Sequence, residues 1–375
     1  MKRLAALLVA LMALPATAQT LLDFTPDERA RIVAHGPWPP TVARDPSNRV
    51  DGRRAAIEFG ALLFFDPRLS SDGRFSCAGC HLPPRAFQDG LPLAASRAGA
   101  TRNTPTLLDG THRRWFGWDG AQDSLWAASL SPLLNADEMG QSPAGLAATV
   151  RREAHFAAAY RKAFGAAPGS DAEKITVDVA KALAAYQATL VSPRTPFDDF
   201  RDALARGDDA AAARYPPAAQ RGLRLFVGEA RCNVCHAGAA FSNGEFADIG
   251  VPFFVSGGVD PGRHGGLQKL LASRMNRVGP HNDAGAADAR AVATRHVIVE
   301  PRHFGEFRVP GLRQLVHTAP YMHNGSLARV EDVVQHYSAL NEERLHADGE
   351  RILRRLDLTP QQAADLAAFL RSLSR

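Results

Sequence analysis

Cys77-Ala78-Gly79-Cys80-His81 and Cys232-Asn233-Val234-Cys235-His236 are the two stretches on which the reading of this 375-residue chain turns. They lie 155 residues apart and use all four cysteines. Cys-x-x-Cys followed at once by His is the attachment signature of c-type haem: two thiols add to the porphyrin vinyl groups, and the adjacent imidazole reaches the iron. A single such motif would equally suit a redox dithiol or half of a zinc site, and an exported chain could pair its cysteines as disulfides. Two identical motifs that leave no cysteine over point to two covalently attached haems.

The N-terminus agrees with that chemistry. Met1-Lys2-Arg3 is basic, residues 4–15 are apolar, and Ala16-Thr17-Ala18 is a small-residue end. This is the plan of a secretory signal peptide over residues 1–18, cleaved after Ala18, and it places the mature chain in the periplasm. The apolar run is too short to span a bilayer, which needs about 20 residues, and no later stretch is a membrane span. Without Lys2 and Arg3 the formal charge falls from +5 to +3. That mild excess suits an acidic redox partner and offers no nucleic-acid tract.

Outward from the motifs, similar surroundings recur. An amphipathic helix precedes each motif, around residues 55–64 and 220–226, and another closes each half, over 175–190 and 359–373. The last is signalled by Thr359 as N-cap, Pro360 at the first helical position and Gln362 completing a capping box. The expected fold is mainly α, with two tandem cytochrome c-like domains each carrying one covalent haem c. The N-terminal domain spans 19–195 and the C-terminal domain 216–375, with 196–215 as a polar, proline-bounded linker. Residues 255–293, rich in Gly and Asp, read as surface loop, and Val297-Ile298-Val299 reads as a short strand.

His81 and His236 each supply one iron ligand. The opposite face decides between electron transfer and chemistry, because a filled sixth site excludes substrate. Residues 82–111 contain no His, Met, Tyr, Lys or Cys. The first haem is therefore expected to be open, unless His112, Met139 or His155 closes it. The second half offers Met275, His281, His296, His303, His317, Met322, His323, His336, Tyr337 and His346, and counting does not choose among them.

Further segments carry a family resemblance. Arg102-Asn103-Thr104-Pro105-Thr106-Leu107, Trp118-Asp119-Gly120, Ser131-Pro132 and Glu138-Met139-Gly140 stand in the first half; Val309-Pro310-Gly311-Leu312-Arg313 and Thr318-Ala319-Pro320-Tyr321-Met322-His323-Asn324-Gly325 stand in the second. Together with the haem motifs they resemble the bacterial dihaem cytochrome c peroxidases, including the MauG-like branch, over nearly the whole mature chain. The resemblance implies that hydrogen peroxide reacts at the N-terminal haem, with Glu138 as acid/base in a pocket beside Pro132. It implies Trp118 as the residue bridging the haems, and a calcium ion held by Asn103 and the carbonyls of Thr318 and Pro320. Trp115 and Trp126 have no such counterpart and read as packing.

Two departures from the ordinary peroxidases point to the MauG-like branch. Many family members keep a blocking His in the loop after the first motif; here that position is Ala95. Ordinary members cap the second haem with a Met 17 residues after the Pro of Pro-Tyr-x-His, and MauG-like members with a Tyr; here the position is Tyr337. Two other differences limit the analogy. The MauG-like pocket Gln is Ala128, and the surface Trp two residues before the second motif in MauG is Ala230.

The expected function is thus a MauG-like peroxidase that stores oxidising equivalents over both haems and oxidises a protein side chain or electron donor. Two alternatives stand beside it: a peroxide-detoxifying enzyme fed by a small cytochrome or cupredoxin, and a dihaem electron carrier without peroxide chemistry.

Overall fold

Gly60 sits where helix Arg54–Phe65 crosses helix Ala172–Gln187, and a Cβ there would lie 2.0 Å from the Ala182 carbonyl oxygen. Gly222 plays the same part where Pro217–Val227 crosses Pro360–Arg371, with a Cβ 1.9 Å from the Asp365 carbonyl oxygen. Only glycine lets the two backbones approach this closely. The repeat inferred from the sequence is therefore a repeat of packing: in each half the helix before the motif is clamped against the closing helix. The computed structural model describes residues 20–97, 99–255, 258–345, 347–348 and 352–375. The signal-peptide reading of residues 1–18 and the candidate ligand His346 lie outside the described residues.

Each half has its own apolar core. In the first, Phe59, Leu63 and Phe64 recur at helical spacing and pack with Leu146, Val150, Phe156, Val179 and Leu183. In the second, Leu223 and Phe226 meet Leu366, Phe369 and Leu370. The closing helix carries the expected capping box, Thr359 Oγ1 accepting from Gln362 N and Gln362 Oε1 from Thr359 N. The fold is mainly α. Among the described residues the strands form only two short antiparallel pairs, Phe246–Ala247 with Phe307–Arg308 and Phe254–Val255 with Gly258–Val259.

Three expectations need correction. Residues 196–215 are not a free linker: Pro196–Arg206 is a helix whose Phe197, Phe200, Ala203 and Leu204 are buried in the second core. Its polar residues are anchored too, Asp198 pairing with Arg313 at 2.7 and 2.9 Å and Arg201 donating to the Val33 carbonyl. Helix Pro26–Val33 joins the same core through Ile32, with Phe24 just before it, so the chain's first described segment packs with the second half.

Residues 255–293 are not plain surface loop. They contain helix Arg263–Ala272, with Leu267 and Leu270 fully buried, and a buried Arg277 paired with Asp45 and Asp288. Residues 297–299 form no strand.

Candidate haem sites and the junction between them

The first motif folds as the short helix Cys77–Cys80, with His81 at its C-terminal end. His81 Nδ1 donates to the Phe87 carbonyl at 2.9 Å. His236 Nδ1 donates to the Phe241 carbonyl at 3.0 Å. Both acceptors have left-handed backbones, φ 59° at Phe87 and 54° at Phe241, conformations that non-glycine residues seldom adopt. The hydrogen bond fixes the tautomer in each case and leaves Nε2 as the lone-pair donor, the usual second-shell arrangement of a metal-bound His. Burial also keeps both imidazoles neutral by pushing their pKa down. An Ala-Phe pair follows each motif (Ala86-Phe87 and Ala240-Phe241), a sequence signal that the motif reading passed over.

No disulfide joins the four cysteines. Burial pushes the thiols of Cys77 and Cys232 up to about 12, so neither is an exposed redox thiolate. Paired thiols beside a neutral imidazole are the donor set that covalent haem requires, and both halves present it; His236 also lies within hydrogen-bond reach of the Pro310 carbonyl.

Of the three candidates for a sixth ligand around the first motif, His155 and His112 are placed elsewhere, and Met139 is buried in the core against which Cys77 packs. His155 bonds Arg68 at the surface. His112 packs against Trp38 with the rings tilted by 49° and lines the cavity of the second motif. The loop position read as the blocking site lies against the motif, since Cys80 Sγ donates to the Ala95 carbonyl at 3.6 Å. Its methyl side chain has no ligand atom. Glu138 is close enough to Cys77 and Cys80 that its charge adds to the upward push on both thiols. Asn135 Nδ2 donates to Glu138 Oε1 at 2.7 Å, and Arg97 Nε holds the Glu138 carbonyl at 2.6 Å. Pro132 lies inside helix Leu125–Leu134, and its carbonyl accepts from Met139 N, which joins the pocket proline to the Glu138 turn.

The second motif opens onto a cavity of about 250 Å³ that reaches from Cys232, Cys235 and His236 to Trp118. Tyr337, on helix Val330–Ser338, lines it. Its phenol is pushed up by burial, with the sulfurs of Cys232 and Cys235 adding to the effect, and its hydroxyl has no hydrogen-bond partner among the described residues. Of the other candidates, His281 pairs with Glu173, His303 with Glu300, His317 with the Arg375 carbonyl and His336 with the Ile249 carbonyl. Met275 packs under Trp126, and His296 is exposed. Only Met322 and His323 share the cavity with Tyr337, and His323 is stacked on Phe307 at 3.5 Å, near Arg102 and Asp260.

Trp118 and the three residues read as a calcium site meet at the far wall of this cavity. Trp118 Nε1 donates to the Asn103 carbonyl at 2.8 Å. Asn103 Nδ2 donates to the Leu91 carbonyl, which leaves Oδ1 without a partner among the described residues. The Thr318 carbonyl accepts only a 3.2 Å bond from Gln88, and Thr318 and Pro320 line the same wall. Oxygen donors of this kind suit calcium. Ala128 stands on the helix beside Pro132, and the Ala230 carbonyl accepts from Cys232 Sγ at 3.6 Å. Neither offers an oxidisable side chain. Sequence reasoning missed Arg113 and Arg308, which also face the cavity.

Comparison with known proteins agrees with this geometry. Residues 54–206 match the model of the di-haem cytochrome c peroxidase family. The methylamine utilization protein MauG of Methylorubrum extorquens is 32% identical over 95% of this chain and 88% of its own. The cytochrome-c peroxidase IdrP1 of Denitromonas iodatirespirans is 34% identical over 92% of this chain and 87% of its own. Among solved structures, a MauG-like protein associated with microbial copper homeostasis superposes with a TM-score of 0.66 at 27% identity, covering 90% of this chain and 95% of that one.

Proposed function

Because the chain belongs to the di-haem cytochrome c peroxidase family, we propose that it is a periplasmic, MauG-like member that uses hydrogen peroxide at an open N-terminal haem. Membership in the family makes the protein a dihaem oxidoreductase acting on peroxide, with two haem c groups. Among the described residues no helix is long and apolar enough to cross a membrane.

The observation that carries the MauG-like reading is Tyr337, which lines the cavity of Cys232, Cys235 and His236 and whose hydroxyl has no hydrogen-bond partner among the described residues. Burial alone would keep this phenol protonated. A ferric ion opposite His236 would reverse that balance, and a phenolate ligand favours oxidised states over reduced ones.

When bound, the haems supply the peroxide-binding centre and the store of oxidising equivalents. The chain's own residues supply the rest. His81, held through Phe87, would hold the first iron by its imidazole, and the loop position Ala95 would supply no ligand atom. The Glu138 carboxylate would act as acid/base, moving a proton from the inner to the outer peroxide oxygen as the O–O bond breaks. Asn135 orients that carboxylate, and Pro132 closes the pocket beside it. Trp118, with a large polarisable indole, bridges the two sites. Asn103, Thr318 and Pro320 would hold one calcium ion that stiffens the wall on which Trp118 hangs. The oxidised protein then takes electrons from a protein side chain or a redox partner.

Stopped-flow mixing of the fully ferric protein with hydrogen peroxide tests this reading. The expected result is an immediate absorbance change without prior reduction. A protein that stays inert until its second haem is reduced belongs with the ordinary peroxidases fed by a small cytochrome or cupredoxin.

A further inference from the structure

Arg308, buried, and Arg113, half-buried, are two cations without a carboxylate. Among the described residues no Asp or Glu oxygen lies within 4.0 Å of either, whereas the buried Arg277 pairs with Asp288 and Arg313 with Asp198; the buried Arg263 also lacks a carboxylate, but its guanidinium is covered by the rings of Trp115 and Phe246. Arg113 donates one Nη to the carbonyls of Thr106 and Leu108, at 3.0 and 2.6 Å. Asp109 acts on it only from farther off, and Asp109 Oδ1 is engaged by Ser192 N. Arg308 gives Nε to the Gly117 carbonyl at 3.1 Å and Nη1 to the Val309 carbonyl at 3.5 Å. Arg113 Nη1 and Nε, and Arg308 Nη2, have no hydrogen-bond partner among the described residues.

These remaining N–H groups face the cavity that runs from the second motif to Trp118. The two guanidinium groups also feel each other. Burial and the neighbouring Arg113 push Arg308 down to about 9, and the charge of Arg113 extends to His81 of the first motif. Arg113 comes from the first half and Arg308 from the second, so a pair of like charges sits at the junction of the two haem sites. Burying them without a counter-ion is costly, and breaking a buried pair in this way is worth several kcal/mol in other proteins. A site built with two unpaired guanidinium forks calls for planar carboxylates, which take bidentate hydrogen bonds from arginine.

We infer that Arg113 and Arg308 form a carboxylate-binding pair at the junction of the two halves, and that the carboxylates they bind are haem propionates. The inference rests on two haems being present and not on which oxidant or ligand set they use. Arg308 has a second task that follows from its position. Its backbone N–H donates to the Trp118 carbonyl at 2.8 Å while its Nε holds Gly117, so the same residue that binds the propionate also fixes the Trp118 turn. Charge at the haem edge and the position of the bridging indole are set together.

The test uses the dihaem protein and its variants Arg113→Gln, Arg308→Gln and Arg308→Lys. Haem content is checked by pyridine haemochrome, the propionate bending bands by resonance Raman, and both potentials by spectroelectrochemistry. Removing either cation should shift a propionate band and favour the ferric state about tenfold, about 59 mV lower for a one-electron couple. Arg308→Lys should restore most of the potential while its propionate band still differs, because an ammonium keeps the charge and loses the fork. Should a Gln variant fail to load haem, the Lys variant carries the test. Unmoved Raman bands and potentials in haem-replete variants overturn the assignment. So does a wild-type protein whose potentials follow added phosphate while its propionate bands ignore the substitutions, since the pair would then hold a solution anion.

Discussion

Trp118 hangs from Asn103: its indole N–H donates to the Asn103 carbonyl at 2.8 Å, and Asn103 is itself 5% exposed. The residue proposed to bridge the haem sites and a residue proposed to hold calcium are thus one hydrogen bond apart, and on that proposal a change at the ion site should reach the indole through a single peptide unit.

Calcium content follows from this link. One calcium per chain is expected by elemental analysis of the purified protein. Asn103→Ala or chelation should lower that content and slow electron exchange between the haems, read as a slower approach to equilibrium after partial reduction. Full calcium occupancy in Asn103→Ala would remove Asn103 from the site.

Glu138→Gln keeps the Asn135 contact possible and removes the titrating oxygen. The initial peroxide reaction should slow by about 10²–10⁴, the usual contribution of a positioned general acid/base. Unchanged rates would mean that Glu138 acts only on the shape of the loop held by Arg97.

Acid should weaken the fold through two buried histidines. Burial pushes His35 and His323 from 6.5 down to about 4. Between those values the unfolded chain binds protons that the native protein refuses, so stability falls as pH drops from about 6.5 to 4 and is complete above it. The upper bound is about 3 kcal/mol for each residue, at 1.36 kcal/mol per pH unit. Thermal melts of His323→Gln across this range should show a shallower slope than the wild type.

The pair Asp198–Arg313 is almost wholly buried, at 1% and 2% side-chain exposure. Asp198→Asn would leave an uncompensated guanidinium stacked 3.7 Å from Trp38. A loss of about 3–5 kcal/mol is expected from chemical denaturation, with the melting point falling and haem attachment retained.

This pair also explains what the sequence hid. The helices around each motif and the capping box at Thr359 were legible, because apolar period and turn chemistry speak locally. Residues 196–206 read as linker because Asp198, Asp199 and Arg201 look solvent-facing; two of them instead anchor the helix through partners more than 100 residues away. The segment around Arg277 was hidden for the same reason, its core being an ion pair with Asp45 rather than an apolar stripe.

At the sites, the motifs pointed to the attachment residues directly, and the family resemblance led to Tyr337, Glu138 and Ala95. Arg113 and Arg308 carry no motif, and their meaning lies only in the absence of a nearby carboxylate. The left-handed carbonyls of Phe87 and Phe241 were foreshadowed by nothing but a repeated Ala-Phe pair. Helix Pro26–Val33 was not read from the sequence, although Thr25 and Glu28 form a capping box at its start.

The unequal treatment of the two irons is the claim from which the peroxide chemistry follows. An electron paramagnetic resonance spectrum of the resting ferric protein tests it most directly. One high-spin signal and one low-spin signal, the latter altered in Tyr337→Met, are the predicted result. Two low-spin signals that ignore Tyr337→Met would contradict the account and describe an electron carrier instead.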